Sequence, residues 1–245
     1  MKLLFDIGNT RIKAARFENG SLHPLPSITH GGDAAFPDEW QLADKPEAIW
    51  VASVASDKVV LRLGKWAHAS WGCELMRAQV EQGVGGLNTS YHQPQQLGVD
   101  RWLAALGAYH LAEQKGVCVI DAGTALTVDL VDDSGVHLGG LIAPGIELMI
   151  ESLTKGTAQL ALENISVPDI FATDTQSAIS LGCADYVVGM IERVNQRIMR
   201  QNLNIHTWYL TGGQGELVNR LSTQNMQLIP ELVLHGLAIV AEQSA

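Results

Sequence analysis

The chain has 245 residues, 47% of them hydrophobic, and its 16 basic and 26 acidic side chains give a formal net charge of −10. A chain of this length can bury a large core, as one domain or as two lobes of about 120 residues each. The acidic balance and the absence of a basic stripe predict no nucleic-acid partner. No stretch approaches the roughly 20 apolar residues of a membrane span, which predicts no membrane partner.

The N-terminus and the cysteines indicate the compartment. Asp6 falls where a signal peptide would have its apolar region, so no secretion signal is expected. Cys73, Cys118 and Cys183 are odd in number and widely spaced, so they predict neither a disulfide framework nor a zinc site. We therefore expect a cytoplasmic protein with reduced cysteines.

The first predicted element is a β-hairpin over residues 3–20, and the pattern returns at 117–135. Each copy has an apolar strand, an Asp-x-Gly turn, a second strand and a polar turn, so that Asp6 matches Asp121. The glycine after each aspartate lets the backbone approach a ligand closely. One Asp-x-Gly is usually just a turn, but the repeat predicts two similar half-folds. A cleft between them would suit nucleotide phosphates and Mg²⁺.

Between the hairpins, the chain alternates strands and helices. Residues 21–46 carry several prolines and predict loops with a short helix, and 48–54 predict a buried strand. A helix over 56–69 and a strand over 74–80 follow. Residues 81–97 predict a long loop, a type of segment that is more often functional than idle.

The second half continues the alternation, with a helix running from about residue 98 to 115 before the second hairpin. The predicted elements after that hairpin are the segment 138–145, a helix over 146–154, a helix over 175–201, a strand over 208–210 and helices from about 216 and over 232–242. The fold class is therefore α/β, with two similar lobes of mixed β-sheet and flanking helices. The expected division is residues 1–114 and residues 115–245, with one of the two repeated hairpins in each.

Several nucleotide and hydrolase fingerprints are missing. The sequence contains no GxxxxGK[ST], no GxGxxG after a strand and no GxSxG, which argues against a P-loop NTPase, a Rossmann dehydrogenase and an α/β-hydrolase. Three glycine turns after apolar strands remain, at 6–10, 121–124 and 211–213. Their spacing resembles the acetate and sugar kinase, Hsp70 and actin superfamily, in which two hairpins hold phosphates and a Gly-Gly turn contacts adenosine. The resemblance implies an actin/ribonuclease H-like duplicated fold with a nucleotide in its cleft. It also implies that residues 1–114 carry the first phosphate hairpin and the substrate loop, and that residues 115–245 carry the second phosphate hairpin and the adenosine turn. On that pattern Lys13 reaches a phosphate; otherwise it is a solvated strand lysine.

A more specific resemblance covers essentially the whole chain. The motifs that carry it are DIGNTRIK at 6–13, Tyr91-x-x-Pro94-x-x-Leu97-Gly98-Val99-Asp100-Arg101, DAGTALTVD at 121–129, GGLIAPG at 139–145, Thr175-x-x-Ala178-Ile179-x-x-Gly182 and TGG at 211–213. Together they resemble the type III pantothenate kinase family. The resemblance implies transfer of the ATP γ-phosphoryl group to the primary hydroxyl of pantothenate, the first step of coenzyme A synthesis. It also implies a cytoplasmic homodimer that needs Mg²⁺ and a monovalent cation, K⁺ or NH₄⁺.

The resemblance also implies roles for individual residues. Asp100 is the expected catalytic base, with an N-cap of the following helix as its alternative role. Expected pantothenate contacts are Tyr91, Gly98, Val99, Asp100, Arg101 and Thr175, and expected ATP contacts are Asp6, Ile7, Gly8, Asn9, Thr10, Arg11, Ile12, Lys13 and Thr124. Asp6 is expected to hold Mg²⁺ directly or through water, and Asp121 the monovalent cation. Arg101 could instead be a surface arginine, and Thr175 a helix N-cap or a residue that acts across a dimer interface.

Two other functions stay open at this level. A member of this family can be a non-catalytic accessory or regulatory protein, or the chain can be a kinase of another small hydroxylated substrate. The presence of Asp6, Asp100 and Asp121 together favours a kinase, because a pure scaffold does not need all three carboxylates.

Overall fold

A computed structural model gives the structure of the protein and describes residues 1–29, 36–40, 44–154 and 171–244. The strands are β1 (Lys2–Ile7), β2 (Arg11–Glu18), β3 (Ser21–Thr29), β4 (Ala48–Ser53), β5 (Leu75–Arg77), β6 (Asn88–Thr89), β7 (Val117–Ala122), β8 (Ala125–Val131), β9 (Val136–Pro144), β10 (Thr207–Thr211) and β11 (Gln227–Leu228). The helices are α1 (Asp57–Trp71), α2 (Val99–Leu111), α3 (Ile146–Thr154), α4 (Thr175–Arg200), α5 (Gly215–Leu221) and α6 (Leu232–Gln243). None of these helices has the length and apolar character needed to cross a membrane.

The two sheets repeat one topology. The first sheet has the strand order β3-β2-β1-β4-β5, and the second has β11-β10-β7-β8-β9-β6. Strands β1, β2, β3, β4 and β5 correspond in turn to β7, β8, β9, β10 and β11, with the same antiparallel and parallel pairings. Only β6, beside β9, has no counterpart among the described strands. The duplicated α/β fold predicted from the repeated hairpin is therefore confirmed.

The topology sets both hairpin aspartates in equivalent places. Asp6 is the residue before the last in β1, and Asp121 holds the same position in β7. Asp6 lies opposite Lys13 on β2, while Asp121 lies opposite Thr127 on β8 and beside Thr211 on the parallel strand β10. Because parallel neighbours end at the same edge of a sheet, each aspartate lies where several strand ends meet.

The prediction of loops for residues 21–46 is wrong over Ser21–Thr29, which forms β3. Pro24 and Pro26 are tolerated because β3 is the edge strand of its sheet, where a missing N–H breaks no central ladder. A short helix does occur, at Asp38–Trp40. Residues 30–35 and 41–43 lie outside the described part of the chain.

The segment 81–97 is also more regular than predicted. It contains single-turn helices at Val84–Gly86 and Pro94–Gln96 and the strand β6, which pairs in parallel with β9. The segment 138–145 belongs to the longer strand β9. The pairing of β6 with β9 holds the start of the predicted substrate segment against the second sheet.

Helices from the two halves of the chain pack tightly together. On Gly107 of α2, a Cβ would lie 2.6 Å from the carbonyl oxygen of Leu232, and on Gly236 of α6 it would lie 2.0 Å from that of Leu103. Helix α6 also contacts β1 and β4 of the first sheet, and one apolar cluster spans both halves. Strand β6 belongs to the sheet of the second half, and helix α6 packs on the sheet of the first half, so both cross the predicted division at residue 115. That division stays a prediction.

Candidate active site

The tips of the two repeated hairpins meet. In the first tip the N–H of Gly8 donates to the carbonyl of Arg11 at 3.0 Å, and in the second the N–H of Gly123 donates to the carbonyl of Ala125 at 3.1 Å. The hydroxyl oxygens of Thr10 and Thr124 lie 3.1 Å apart. The two predicted phosphate turns therefore lie side by side, although their aspartates, Asp6 and Asp121, are 115 residues apart in the sequence.

The residues of the first hairpin differ in what they expose. Asn9, Thr10 and Arg11 are exposed, whereas the side chains of Ile7 and Ile12 are fully buried in the core. A buried isoleucine can offer a ligand only its backbone. The alternation buries one face of the hairpin and leaves its tip available for a ligand.

A cavity of about 280 Å³ lies beside this hairpin, and its lining includes Arg11, Lys13, Gly212, Gly213 and Glu216. It therefore joins the first hairpin to the TGG turn that follows β10. The Nζ of Lys13 donates to the carbonyl oxygen of Pro230 at 2.6 Å, so this lysine spans from the first hairpin to the C-terminal half.

Gly212 is required at its position. Its φ is +94°, and a Cβ would lie 2.4 Å from Oδ1 of Asp121 and from the carbonyl carbon of Ala122. A side chain there would displace the carboxylate, so the TGG turn and Asp121 form one packed unit.

Three aspartates from separate elements influence one another electrostatically. Burial raises the pKa of Asp6 to about 7, with Lys13 opposing and Asp121 and Asp100 adding to the increase. Burial likewise raises the pKa of Asp121 to about 6, with Lys13 opposing and Asp100 adding. Three carboxylates that resist ionisation together form a site that binds cations or accepts protons.

Asp100 lies in the first turn of α2 but does not cap it. The N-cap position belongs to Gly98, and Oδ1 of Asp100 accepts a hydrogen bond from the N–H of Arg101 at 2.8 Å. The alternative N-cap role is therefore wrong. Burial raises the pKa of Asp100, against the hydrogen bond from Arg101, so this carboxylate has gained proton affinity. Gly98 leaves it room, because a Cβ there would lie 2.7 Å from Oδ1.

Arg101 is buried, so the alternative of a surface arginine is also wrong. It is 8% exposed, and its Nε and Nη2 donate to the two oxygens of Asp129 at 2.9 and 2.6 Å. Its Nη1 donates to the hydroxyl of Tyr91 at 3.3 Å. Burial disfavours the charged form, but the hydrogen bonds and charge of Asp129 outweigh it and raise the pKa of Arg101. The guanidinium is thus a fixed cation beside Asp100.

Sequence reasoning assigned no role to Asp129, His137 or Thr89. The Nε2 of His137 lies 2.7 Å from Oδ1 of Asp129, and its Nδ1 lies 3.1 Å from the hydroxyl oxygen of Thr89. One signal was available: Asp129 interrupts an apolar strand at a position expected to be buried, where an unpaired carboxylate is rare. Nothing local in the sequence indicates its partners.

Thr175 is the first residue of α4 and is exposed. The N-cap is Asp174, whose side chain accepts from the N–H of Ser177 at 2.9 Å, so the N-cap alternative for Thr175 is wrong. Within the described ranges, Thr175 makes no hydrogen bond with Tyr91 or Arg101, whereas those two residues bond to each other.

The fold and this site define a class of protein. Two actin-like half-folds bring two Asp-x-Gly hairpins and a Gly-Gly turn together, with a third carboxylate near enough to raise the pKa of both hairpin aspartates, which defines an α/β protein of duplicated actin-like fold with an acidic site between its repeats.

Comparison with known proteins narrows the class to a family. The type III pantothenate kinase family model matches residues 2–197. A type III pantothenate kinase of Nitrosococcus oceani is 31% identical over 253 residues, covering 100% of this chain and 95% of the relative. One of Chromobacterium violaceum is 36% identical over 243 residues, covering 98% and 99%. The chain belongs to the type III pantothenate kinase family and is an enzyme of the kinase class.

Solved structures agree on the fold. A Campylobacter jejuni protein described as a conserved member of the Baf family of transcriptional activators aligns with a TM-score of 0.60 at 22% identity, covering 99% of this chain and 98% of that one. The archaeal actin homologue Ta0583 aligns with a TM-score of 0.53 at 13% identity, covering 99% of each chain. At these identities the likeness concerns the fold alone.

Proposed function

We propose that this chain transfers the γ-phosphoryl group of ATP to the primary hydroxyl of pantothenate, giving 4'-phosphopantothenate for coenzyme A biosynthesis. One observation carries the proposal: Asp100 adds to the raised pKa of both Asp6 and Asp121 although the three lie on separate elements, and Arg101 follows directly after Asp100. The carboxylates suit the cations that accompany a nucleotide, and the fixed guanidinium suits the carboxylate of an acidic alcohol.

Asp100 acts as the general base in this proposal. A primary alcohol is a poor nucleophile, and a carboxylate within hydrogen-bond reach accepts its proton as the oxygen attacks phosphorus. The raised pKa of Asp100, caused by burial, makes it a stronger base than a solvated aspartate. The reaction then depends mainly on positioning and on electrostatic stabilisation.

ATP lies between the two hairpins in this proposal. The contacts come from Asp6, Ile7, Gly8, Asn9, Thr10, Arg11, Ile12, Lys13 and Thr124, with Ile7 and Ile12 contributing backbone only. The exposed hydroxyls of Thr10 and Thr124, which now hydrogen-bond to each other, are free to turn toward phosphate oxygens. The cavity between Lys13 and the Gly-Gly turn takes the adenosine.

Two cations fit the carboxylates. Asp6 would hold Mg²⁺, directly or through water, and Asp121 would hold K⁺ or NH₄⁺, since desolvated carboxylate oxygens suit hard cations. In the described part of the chain, no group of three acidic, histidine or cysteine side chains can hold a metal alone, which suits cations that take further ligands from nucleotide and water. Bound Mg²⁺ would neutralise charge on the phosphates.

Pantothenate lies beside α2 in this proposal. Arg101 and Tyr91 take its carboxylate, Gly98 and Val99 contribute backbone, and Asp100 faces its hydroxyl. Thr175 is a contact that a partner chain would supply, because its exposed position at the start of α4 makes no hydrogen bond to these residues within the described ranges.

A homodimer in the cytoplasm completes the proposal. Large apolar side chains are exposed on β9 and α4: Ile142 at 66%, Tyr186 at 52% and Met199 at 70%. Burying them against a second copy would remove this surface from water. Val187, on the same helix, is 1% exposed and belongs to the core instead. Cys73, Cys118 and Cys183 are all free thiols, which suits a reducing compartment.

The test is ADP release from ATP and Mg²⁺, with and without pantothenate, first in K⁺ and then in Na⁺ buffer. Pantothenate-dependent release that needs K⁺ is the expected result. Release with other small alcohols but not with pantothenate would make the chain a kinase of another substrate. No release from folded, dimeric protein under any condition would overturn the kinase reading in favour of a regulatory role.

A further inference from the structure

Buried polar side chains are few in the described residues, and most of them form one network. They are Thr89, Arg101, Asp129, His137, Ser180 and Thr211. The first four are joined in a continuous chain of hydrogen bonds between β6, β8, β9 and α2.

The hydrogen bonds of the network meet at His137 and Asp129. The hydroxyl oxygen of Thr89 accepts from the backbone N–H of Tyr91 at 3.2 Å and lies 3.1 Å from Nδ1 of His137. The Nε2–H of His137 then donates to Oδ1 of Asp129. Asp129 therefore accepts hydrogen bonds from both His137 and Arg101.

A gain in folding stability does not explain this buried network. Desolvating an ion pair costs about as much as the pair returns, and replacing buried pairs with apolar residues is often neutral or stabilising. Here the pair is 8% and 1% exposed. The network does fix the orientation of the Arg101 guanidinium, because Asp129 accepts from its Nε and Nη2 in a bidentate arrangement that permits little rotation.

The orientation determines what the guanidinium can still bind. Asp129 and Tyr91 together take three of its five N–H groups. Within the residues that the structure describes, one N–H on each of Nη1 and Nη2 is left without an acceptor. Two such groups on adjacent nitrogens can bind both oxygens of one carboxylate.

Gly140 makes the arrangement possible. A Cβ at this position would lie 2.5 Å from Oδ1 of Asp129, 2.6 Å from Nη2 of Arg101 and 2.1 Å from the carbonyl oxygen of Val128. Only glycine lets β9 pass this close to the ion pair, which gives the second glycine of the GGLIAPG segment a specific purpose.

We propose that Asp129, His137 and Thr89 are positioning residues for the phosphoryl acceptor. They orient Arg101 and Tyr91 so that two guanidinium N–H groups and the tyrosine hydroxyl meet the acceptor's carboxylate. The proposal rests on the proposed function, and it identifies which residues give that site its preference for an acidic alcohol.

The test compares Thr89→Val, which is isosteric but lacks the hydroxyl, with Thr89→Ser, which keeps it. Thr89→Val removes the bonds of this hydroxyl to Nδ1 of His137 and to the N–H of Tyr91, and a loss of this kind corresponds to about a 3- to 10-fold change. We expect Thr89→Val to raise the KM and Kd for pantothenate by that factor, with kcat and the KM for ATP within about twofold, and Thr89→Ser to restore the wild-type values. A merely structural role would instead lower the Tm and shift both KM values together.

The second measurement repeats Thr89→Val in an Arg101→Lys background, with pantothenate binding read by calorimetry. Lysine keeps a charge opposite Asp129 but lacks the planar fork. If Thr89 acts through Arg101, its effect shrinks to less than about twofold in this background. An undiminished effect would overturn the proposal.

His137 supplies an independent variant if Thr89→Val does not fold. His137→Gln can still donate to Asp129 through its amide, and His137→Leu cannot. We expect the KM for pantothenate to rise more in His137→Leu than in His137→Gln, and equal values in folded proteins would count against the network. Wild-type protein without pantothenate-dependent turnover would instead mean that the proposed function has failed.

Discussion

Replacing Asp6 by asparagine should stabilise the ligand-free protein while removing its activity. Asp6 has an ordinary pKa of 3.8 that burial raises to about 7, with Lys13 opposing and Asp121 and Asp100 adding. Ionising this carboxylate therefore costs the folded protein free energy. Asparagine has nearly the same shape and carries no charge, so the cost disappears.

The sign and size follow from proton linkage. Between about pH 4 and pH 7 the folded chain holds a proton that the unfolded chain has released, so the free energy of unfolding falls as pH rises through this window. At about 1.4 kcal/mol per pH unit, an increase in pKa from 3.8 to about 7 gives a ceiling of about 4 kcal/mol. Asp6 is partly exposed to solvent and shares its proton with Asp121, and both effects reduce this free-energy difference. We therefore expect Asp6→Asn to be more stable than wild type by on the order of 1–3 kcal/mol at pH 8.

Thermal unfolding of ligand-free wild type and Asp6→Asn at pH 5, 6.5 and 8 measures the effect. At about 2–4 °C per kcal/mol for a domain of this size, Asp6→Asn should unfold roughly 2–12 °C higher at pH 8, with the difference shrinking toward pH 5. Asp133→Asn is the matched control, because the hydrogen bond from the N–H of Gly116 lowers the pKa of Asp133. That variant should be less stable than wild type near neutral pH, with the difference lost as pH falls.

Ligand adds a second comparison. Mg²⁺ with ATP should raise the Tm of the wild type but not that of Asp6→Asn, because the variant lacks the charge that binds the cation. An Asp6→Asn protein that is less stable than wild type at pH 8, or a difference that does not change with pH, would refute burial as the cause of the raised pKa.

Three further predictions concern other parts of the site. Asp100→Asn should lower kcat by a factor on the order of 10² or more with little change in Tm; unimpaired turnover in folded protein would remove Asp100 as the base. Asp121→Asn should abolish activity or weaken the K⁺ requirement, measured as ADP release across a K⁺ titration at constant ionic strength, and an unchanged K⁺ profile would assign the cation elsewhere. Gly140→Ala should destabilise the protein by about 1–3 kcal/mol and raise the KM for pantothenate, because its methyl group would overlap Val128 and Asp129; urea unfolding and a KM measurement check it, and wild-type values in both would contradict the reported packing.

The sequence was informative where the chemistry is local. An apolar strand followed by Asp-x-Gly identifies a hairpin without reference to the rest of the chain, and its repetition at Asp6 and Asp121 was enough to predict the duplicated fold. Asp100 was singled out through the family motif that contains it, since a lone aspartate at the start of a helix is equally an N-cap. These features depend on neighbours within a few residues, which the order of amino acids displays directly.

The proline-rich segment shows where local reasoning fails. Pro24 and Pro26 indicate a loop on propensity alone, yet Ser21–Thr29 is a strand because it lies at the edge of its sheet. Edge and centre are properties of the assembled sheet, and no local pattern distinguishes them.

The tertiary structure alone decided what surrounds Arg101. Its partner Asp129 is 28 residues away, and His137 reaches Thr89 across 48 residues through the pairing of β6 with β9. Such contacts depend on strand order, register and the close approach that Gly140 permits, which emerge only when distant segments pack. The sequence by itself therefore determined the duplicated hairpins and the family motifs, while the tertiary structure decided which buried groups orient them.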